Sequence, residues 1–344
     1  MEEADLFSLP LNKAGLAITN PVNTAKYNFE TSKMGSHQLS SAIINRENLD
    51  LEEHYAVLEE SRKKYKLEKD IRDDNFLNTT LAKFSPIRQR AIERSIFKKI
   101  KTKSSTWLSM IPIKKKHFDL SQTEFRDALA MRYHRKPISM PETCDGCGNK
   151  DFNIDHALCC KTGGLITRRH NEVRDLFGEL CKSAWGNVTI EPNISEEDGG
   201  LRGDLACRGV WEAQREALFD IRVIDTDAPS YASRPVTSIL ASAEEEKKRK
   251  YLRACEERHL SFTPLVMSVD GVFAAQTDNF IRTLSEKLAS RWERPMCQVS
   301  GWLRARIGVA VIRASSMCIR GTRHKWRQNN LIGFDDGAGV QIIV

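Results

Sequence analysis

Four cysteines and a histidine crowd into "CDGCGNKDFNIDHALCC", residues 144–160. Cys144-x2-Cys147 sets two thiolates on one tight loop. His156 follows after eight intervening residues, and Cys160 lies four positions beyond it, about one helical turn. Three thiolates and an imidazole form the donor set of tetrahedral zinc, and a closed set of four leaves no position for a substrate, so the expected role is structural. Cys159 competes with Cys160 as the fourth ligand. A segment this short has little core of its own, and a bound ion stands in for one.

A second set lies in "RGDLACRGVWEAQREALFDIRV". Asp204 opens one β-like run and Asp220 sits within the next, after a polar turn. Two adjacent antiparallel strands can bring such carboxylates to one side of a sheet, within reach of one Mg²⁺ or Mn²⁺. A cation so held lowers the pKa of a bound water for attack on a phosphodiester. Arg222, two residues beyond Asp220, falls on the same strand face. Lys247 and Lys250, in "EKKRKY", lie three apart on one helix face, and Glu172 offers a third carboxylate from the preceding helix.

The chain has 344 residues, 40% hydrophobic and 29% charged, enough for more than one compact unit. No apolar run approaches the roughly 20 residues of a membrane span, and "MEEADLFSLPL" lacks the basic start and apolar block of a secretory signal. The expected location is intracellular, where thiols stay reduced and clustered cysteines favour metal over disulfides. The net charge is only +7, but it is concentrated. Between Lys83 and Lys136 about fifteen Lys/Arg face four acids, and between Arg291 and Arg327 about nine face one. Such runs, with Lys114, Lys115 and Lys116 at the centre of the first, suit a polyphosphate partner.

The elements that must position these residues follow from pattern. Residues 1–50 read as an irregular arm with at most one short helix, and 51–140 as a helical, basic linker region. In the latter, "LEEHYAVLEESRKKYKLEKDIRDDNFLNTTLAK" forms a long exposed helix, Ser85-Pro86 opens another, and Ser121 with Glu124 makes a capping box for a helix through Arg132. The Cys/His knuckle occupies 141–164 and closes at Gly163-Gly164. From 165 to 295 the order is helix, strand, strand, strand, helix, strand, helix, which predicts a mixed α/β (α+β) domain with helices flanking a small sheet. In its first helix Val173, Leu176, Phe177, Leu180 and Cys181 share one face. Residues 296–344 form a basic helix and a polar tail. Cys181, Cys207, Cys255, Cys297 and Cys318 read as buried free thiols.

The order of these pieces resembles the C-terminal half of proteins from early-branching, site-specific non-LTR retrotransposons, where a CCHC zinc knuckle precedes a restriction-like endonuclease of the PD-(D/E)XK superfamily. The likeness covers roughly residues 105–320 and is strongest over "HALCCKTGGLITRRHNEVRD" and "GDLACRGVW…FDIRV…APSY…EKKRKY". "AGLAITNP" resembles the end of the polymerase region in those proteins, which makes residues 1–50 its remnant.

The resemblance implies a restriction-endonuclease-like core. It implies Cys144, Cys147, His156 and Cys160 as structural zinc ligands, and Asp204 and Asp220 as ligands of a catalytic Mg²⁺ or Mn²⁺. Lys247, Lys250 and Tyr251 match the displaced basic motif, Arg169 and His170 an Arg-His pair that contacts nucleic acid, and Glu172 loosely a helix glutamate. The implied activity is nicking of target DNA for element insertion. The implied partners are DNA and, as a second candidate, the element's RNA, in the nucleus, without membrane or small-molecule ligand. Two departures matter. Gly203 replaces proline before Asp204, and Arg222 stands where simpler members keep lysine, which can transfer a proton as arginine cannot. They support the alternative of an inactive nucleic-acid-binding module on the nuclease scaffold. "GFDDGAG" at 333–339 lacks the flanking hydrophobic strands of a polymerase turn, so the chain reads as a truncated copy that starts after the polymerase.

Overall fold

A computed structural model describes residues 2–96, 106–194 and 200–323. The basic segment 97–105 and the tail 324–344 lie outside the described residues. Helices dominate, around one four-stranded mixed sheet. Among the described residues no helix is long and apolar enough to cross a membrane.

The first fifty residues are not an irregular arm. They form α1 (Glu2–Ser8) and the 25-residue α2 (Pro21–Asn45), which Asn20 caps by accepting from the Val22 N–H and which Pro21 opens. α2 packs against α3 (Leu51–Leu81) along a thin line, with Gly35 against Leu58, and most of its side chains stay exposed. That thin contact leaves little apolar periodicity to read. α4 (Pro86–Arg94) follows, and α5 (Gln122–Arg132) starts at the expected capping box, with Ser121 and Glu124 bonding reciprocally.

The knuckle helix α6 (Ile154–Cys159) leads through Gly163 and Gly164, both in the left-handed region at φ 81° and 74°, into α7 (Leu165–Trp185). Then come β1 (Val188–Ile190), β2 (Leu205–Arg208) and β3 (Glu216–Ile224) as an antiparallel meander. α8 (Val236–Glu257) crosses over to β4 (Ser261–Ser268), which pairs parallel to β3. α9 (Ala275–Trp292) and α10 (Met296–Arg320) complete the chain.

The alternation of β3 explains the layers. Phe219 and Ile221 face the core shared with Val173 and Phe177 of α7, Phe280 of α9, and Leu303 and Ile307 of α10. Leu218 faces the other way, toward Tyr251 and Cys255 of α8. α10 is therefore part of the core and not an appended basic helix. Its apolar residues Val299, Leu303, Ile307 and Val311 recur every four positions, and all are buried. Four of the five scattered cysteines are buried as expected, but Cys297 is exposed.

A buried polar network ties α4 to the ends of β3 and β4. Arg94 Nε donates to Asp270 Oδ2 at 2.7 Å, its Nη1 to Asp227, and Arg90 Nη2 to the Thr226 carbonyl at 2.8 Å. Asp225, 6% exposed, has burial as the main cause of a pKa pushed up to about 7, with Asp155 and Asp227 adding to it. The folded chain thus keeps a proton that the unfolded chain releases near pH 4, and stability falls as pH rises through that window. Asp225→Asn is expected to stabilise the protein by roughly 2–4 kcal/mol at pH 8, with the gain shrinking as pH falls toward 4. Urea melts at pH 5 and pH 8 read this directly, and a gain that does not depend on pH would exclude the charge as its cause.

Candidate functional site

The knuckle brings four donors together. Cys144 Sγ lies 4.0 Å from Cys160 Sγ, Cys147 Sγ lies 3.3 Å from His156 Nε2, and all four donor atoms fall within 4.8 Å of one another. Ligands of a tetrahedral zinc stand about 3.3–3.8 Å apart, so a modest contraction would close the set on an ion. The turn is built for it. Cys144 N–H donates to the Asn149 carbonyl, Gly148 N–H returns to the Cys144 carbonyl, and Asn153 caps α6 so that His156 points back at the thiols. Cys159 is exposed and outside the cluster, which settles the fourth donor as Cys160. Burial opposes the Cys144 thiolate, but the N–H groups of Cys147 and Gly146, with His156, outweigh it and bring its pKa down to about 6.

The loop is pinned to the rest of the chain by Arg323, 2% exposed, at the end of α10. Its backbone N–H donates to Asp145 Oδ2 at 2.8 Å, its Nη2 to the Ala157 carbonyl at 3.0 Å, and its guanidinium lies 5.0 Å from the centre of the Phe152 ring. Nothing in the local spacing of the knuckle points to this arginine.

The carboxylates meet in a second place. Asp204 directly precedes β2, and its N–H donates to the Phe219 carbonyl at 3.0 Å, which sets it beside Asp220 on β3; both carboxylates act on the Tyr251 phenol of α8. Asp204 Oδ2 accepts from the Ile221 N–H at 2.5 Å, and its Oδ1 lies 2.9 Å from His170 Nε2 of α7. Asp220, 4% exposed, pairs with Lys247 Nζ at 2.6 Å. Lys250 is exposed, and its Nζ lies 3.3 Å from the Tyr251 hydroxyl, which donates to the Arg202 carbonyl at 3.0 Å. Burial first, then Asp220 and Asp204, push the Tyr251 phenol well above its ordinary pKa, so it stays protonated. An open cleft of about 580 Å³ is lined by Ile166, His170, Ile221, Arg222, Lys247 and Lys250, among others.

Other expected residues are placed elsewhere. Glu172 is exposed, pairs with Arg168 at 3.5 Å, and does not line the cleft, because it sits two positions from His170 on the helix. Arg222 lines the cleft but is held by Glu246 at 2.6 Å, a partner that went unread although it directly precedes Lys247. Arg169 also lines the cleft, but it is 4% exposed and spends its donors on the Leu158 and Val223 carbonyls rather than presenting them to a phosphate. Lys114, Lys115 and Lys116 are exposed on a single 3-10 turn away from the cleft lining. Among the described residues, several arginines of the basic runs are consumed internally. Arg88 and Arg135 pair with Glu3, Arg304 with Asp278, Arg313 with Asp119 and Arg320 with Asp127.

Gly203 has a local reason. Its N–H donates to the Pro192 carbonyl at 3.0 Å, which proline could not do, and a Cβ there would meet the Leu218 side chain at 2.7 Å. No known protein-family model matches the chain and no curated protein is significantly similar to it, so the site is read from its own chemistry.

Proposed function

We propose that the chain is a divalent-metal-dependent DNA endonuclease with a restriction-endonuclease-like core, of non-LTR retrotransposon type, stapled by a structural zinc. The observation that carries this reading is the placement of Asp204 beside Asp220, with Lys247 on Asp220 and both Lys247 and Lys250 lining the adjoining cleft. An opening lined by Lys247, Lys250 and His170, with Asp220 behind Lys247 and Asp204 behind His170, suits a phosphodiester better than a neutral substrate. Asp204 and Asp220 would hold Mg²⁺ or Mn²⁺, which supplies an activated water and neutralises charge on the phosphate. The protein's own groups do the rest. His170 and the Ile221 N–H fix the rotamer of Asp204, Lys247 offsets the mutual repulsion of the two carboxylates, and Lys250, whose ammonium reaches the cleft, steadies the phosphate. The neutral Tyr251 hydroxyl braces Lys250 and does not act as a base.

One observation favours a binding-only module. Arg222 is taken up by Glu246, and both carboxylates already have a side chain against them, Lys247 on Asp220 and His170 on Asp204. Supercoiled plasmid separates the two. The nuclease reading expects nicking with Mg²⁺ or Mn²⁺ that is absent in EDTA and weakens as salt rises, since phosphate contacts are electrostatic. Tight, salt-sensitive binding with no nicking in either metal would leave the binding module standing.

A further inference from the structure

We infer that the Cys/His knuckle is the support that sets the geometry of the carboxylate cleft, and that Arg169 is the positioning residue through which it does so. The consequence for cleavage rests on the nuclease reading, whereas the coupling itself rests on contacts alone. Arg169 Nη1 donates to the Leu158 carbonyl at 3.1 Å, and Nη2 to the Val223 carbonyl at 3.4 Å. Leu158 lies on α6 between the donors His156 and Cys160, and Val223 lies on β3 three residues beyond Asp220. The next residue along α7, His170, holds Asp204. One buried guanidinium therefore spans the metal loop, the strand of Asp220 and the helix turn that bonds Asp204.

A buried cation is tolerated only while its donors are satisfied. If the Leu158 carbonyl moves, Arg169 must follow it or remain uncompensated, and either outcome shifts the first turns of α7. The knuckle has no separate surface on which to move harmlessly. Cys144, Ile154, Leu158 and Cys160 pack in one cluster with Leu165 of α7, Val269 beyond β4, and Val309 and Ile312 of α10. Cys318 Sγ of α10 also donates to the Leu165 carbonyl at 3.5 Å. Without an ion, four donors held this close have nothing to draw them together, and the loop that carries Leu158 loosens. Ion occupancy at the knuckle is thus linked to the order of β3 and to the cation affinity of Asp204 and Asp220, and the linkage is reciprocal.

Hydrogen exchange on the full chain tests the coupling. Stripping zinc is expected to speed exchange at the Ile221–Ile224 amides and the first turns of α7 about tenfold. Arg169→Met, which keeps bulk but removes the donors, should do the same while retaining one zinc per chain by metal analysis. Stripping should then add little, because the two changes act on one path. Mn²⁺ affinity, read by electron paramagnetic resonance, should fall about tenfold in both cases, with Arg169→Lys intermediate. Exchange at β3 that Arg169→Met leaves unchanged, or faster exchange confined to 144–160 after stripping, overturns the inference. Should Asp204→Asn bind Mn²⁺ as tightly as wild type while β3 still loosens, the coupling stands and the nuclease reading falls.

Discussion

Asp204→Asn is expected to lower Mg²⁺-dependent nicking by about a thousandfold, roughly 4 kcal/mol of barrier, while leaving fold and DNA binding intact. The substitution is clean because asparagine keeps an oxygen for the Ile221 N–H and a polar group for His170, both of which the aspartate now engages. What it removes is the charge that a hard cation requires. Asp220→Asn should lower cleavage equally but is a poorer test. It strands Lys247 against a buried position, and an unpaired charge there costs stability of its own. Gel nicking of supercoiled plasmid, with binding followed separately in Ca²⁺, reads the difference. Undiminished nicking by Asp204→Asn would move the chemistry to other residues or to a contaminant.

The second large effect concerns the knuckle. Cys144→Ser, or stripping with a strong chelator, is expected to lower the melting midpoint by about 10 °C. Cys144 is 1% exposed and packs with Phe152, Leu165 and Ile312, so the loosened loop opens a face of the core rather than a free appendage. The pH dependence has a definite sign. Zinc binds thiolate and neutral imidazole, so protons compete with it for all four donors. Bound zinc should therefore be retained near neutral pH and released as pH falls. Differential scanning calorimetry with metal analysis across pH 5–8 checks both statements, and a midpoint indifferent to chelator would remove the structural role.

The local elements were readable because their signals are local. Ser121 and Glu124 announce α5 within four residues, and the apolar stripe of α7 from Val173 to Cys181 is carried by spacing alone. The knuckle donors were readable for the same reason, since a short loop leaves few geometries open. What escaped depends on partners distant in sequence. Arg304, Arg313 and Arg320 look like a phosphate-binding helix until Asp278, Asp119 and Asp127 are seen to consume them. Arg169 looks like a surface arginine until Leu158 and Val223 enclose it. A charge in a sequence says nothing of whether a carboxylate or carbonyl a hundred residues away will meet it. α2 escaped for the opposite reason, because it buries so little, with Gly35 its one buried residue.

Crystals grown with Mn²⁺ and measured at its absorption edge test the central proposal most directly. The account predicts one anomalous peak about 2.0–2.3 Å from an oxygen of Asp204 and an oxygen of Asp220, with Lys247 withdrawn from the carboxylate it now holds. A map in which Lys247 and His170 still cover both carboxylates, with no peak between them at saturating Mn²⁺, would contradict it.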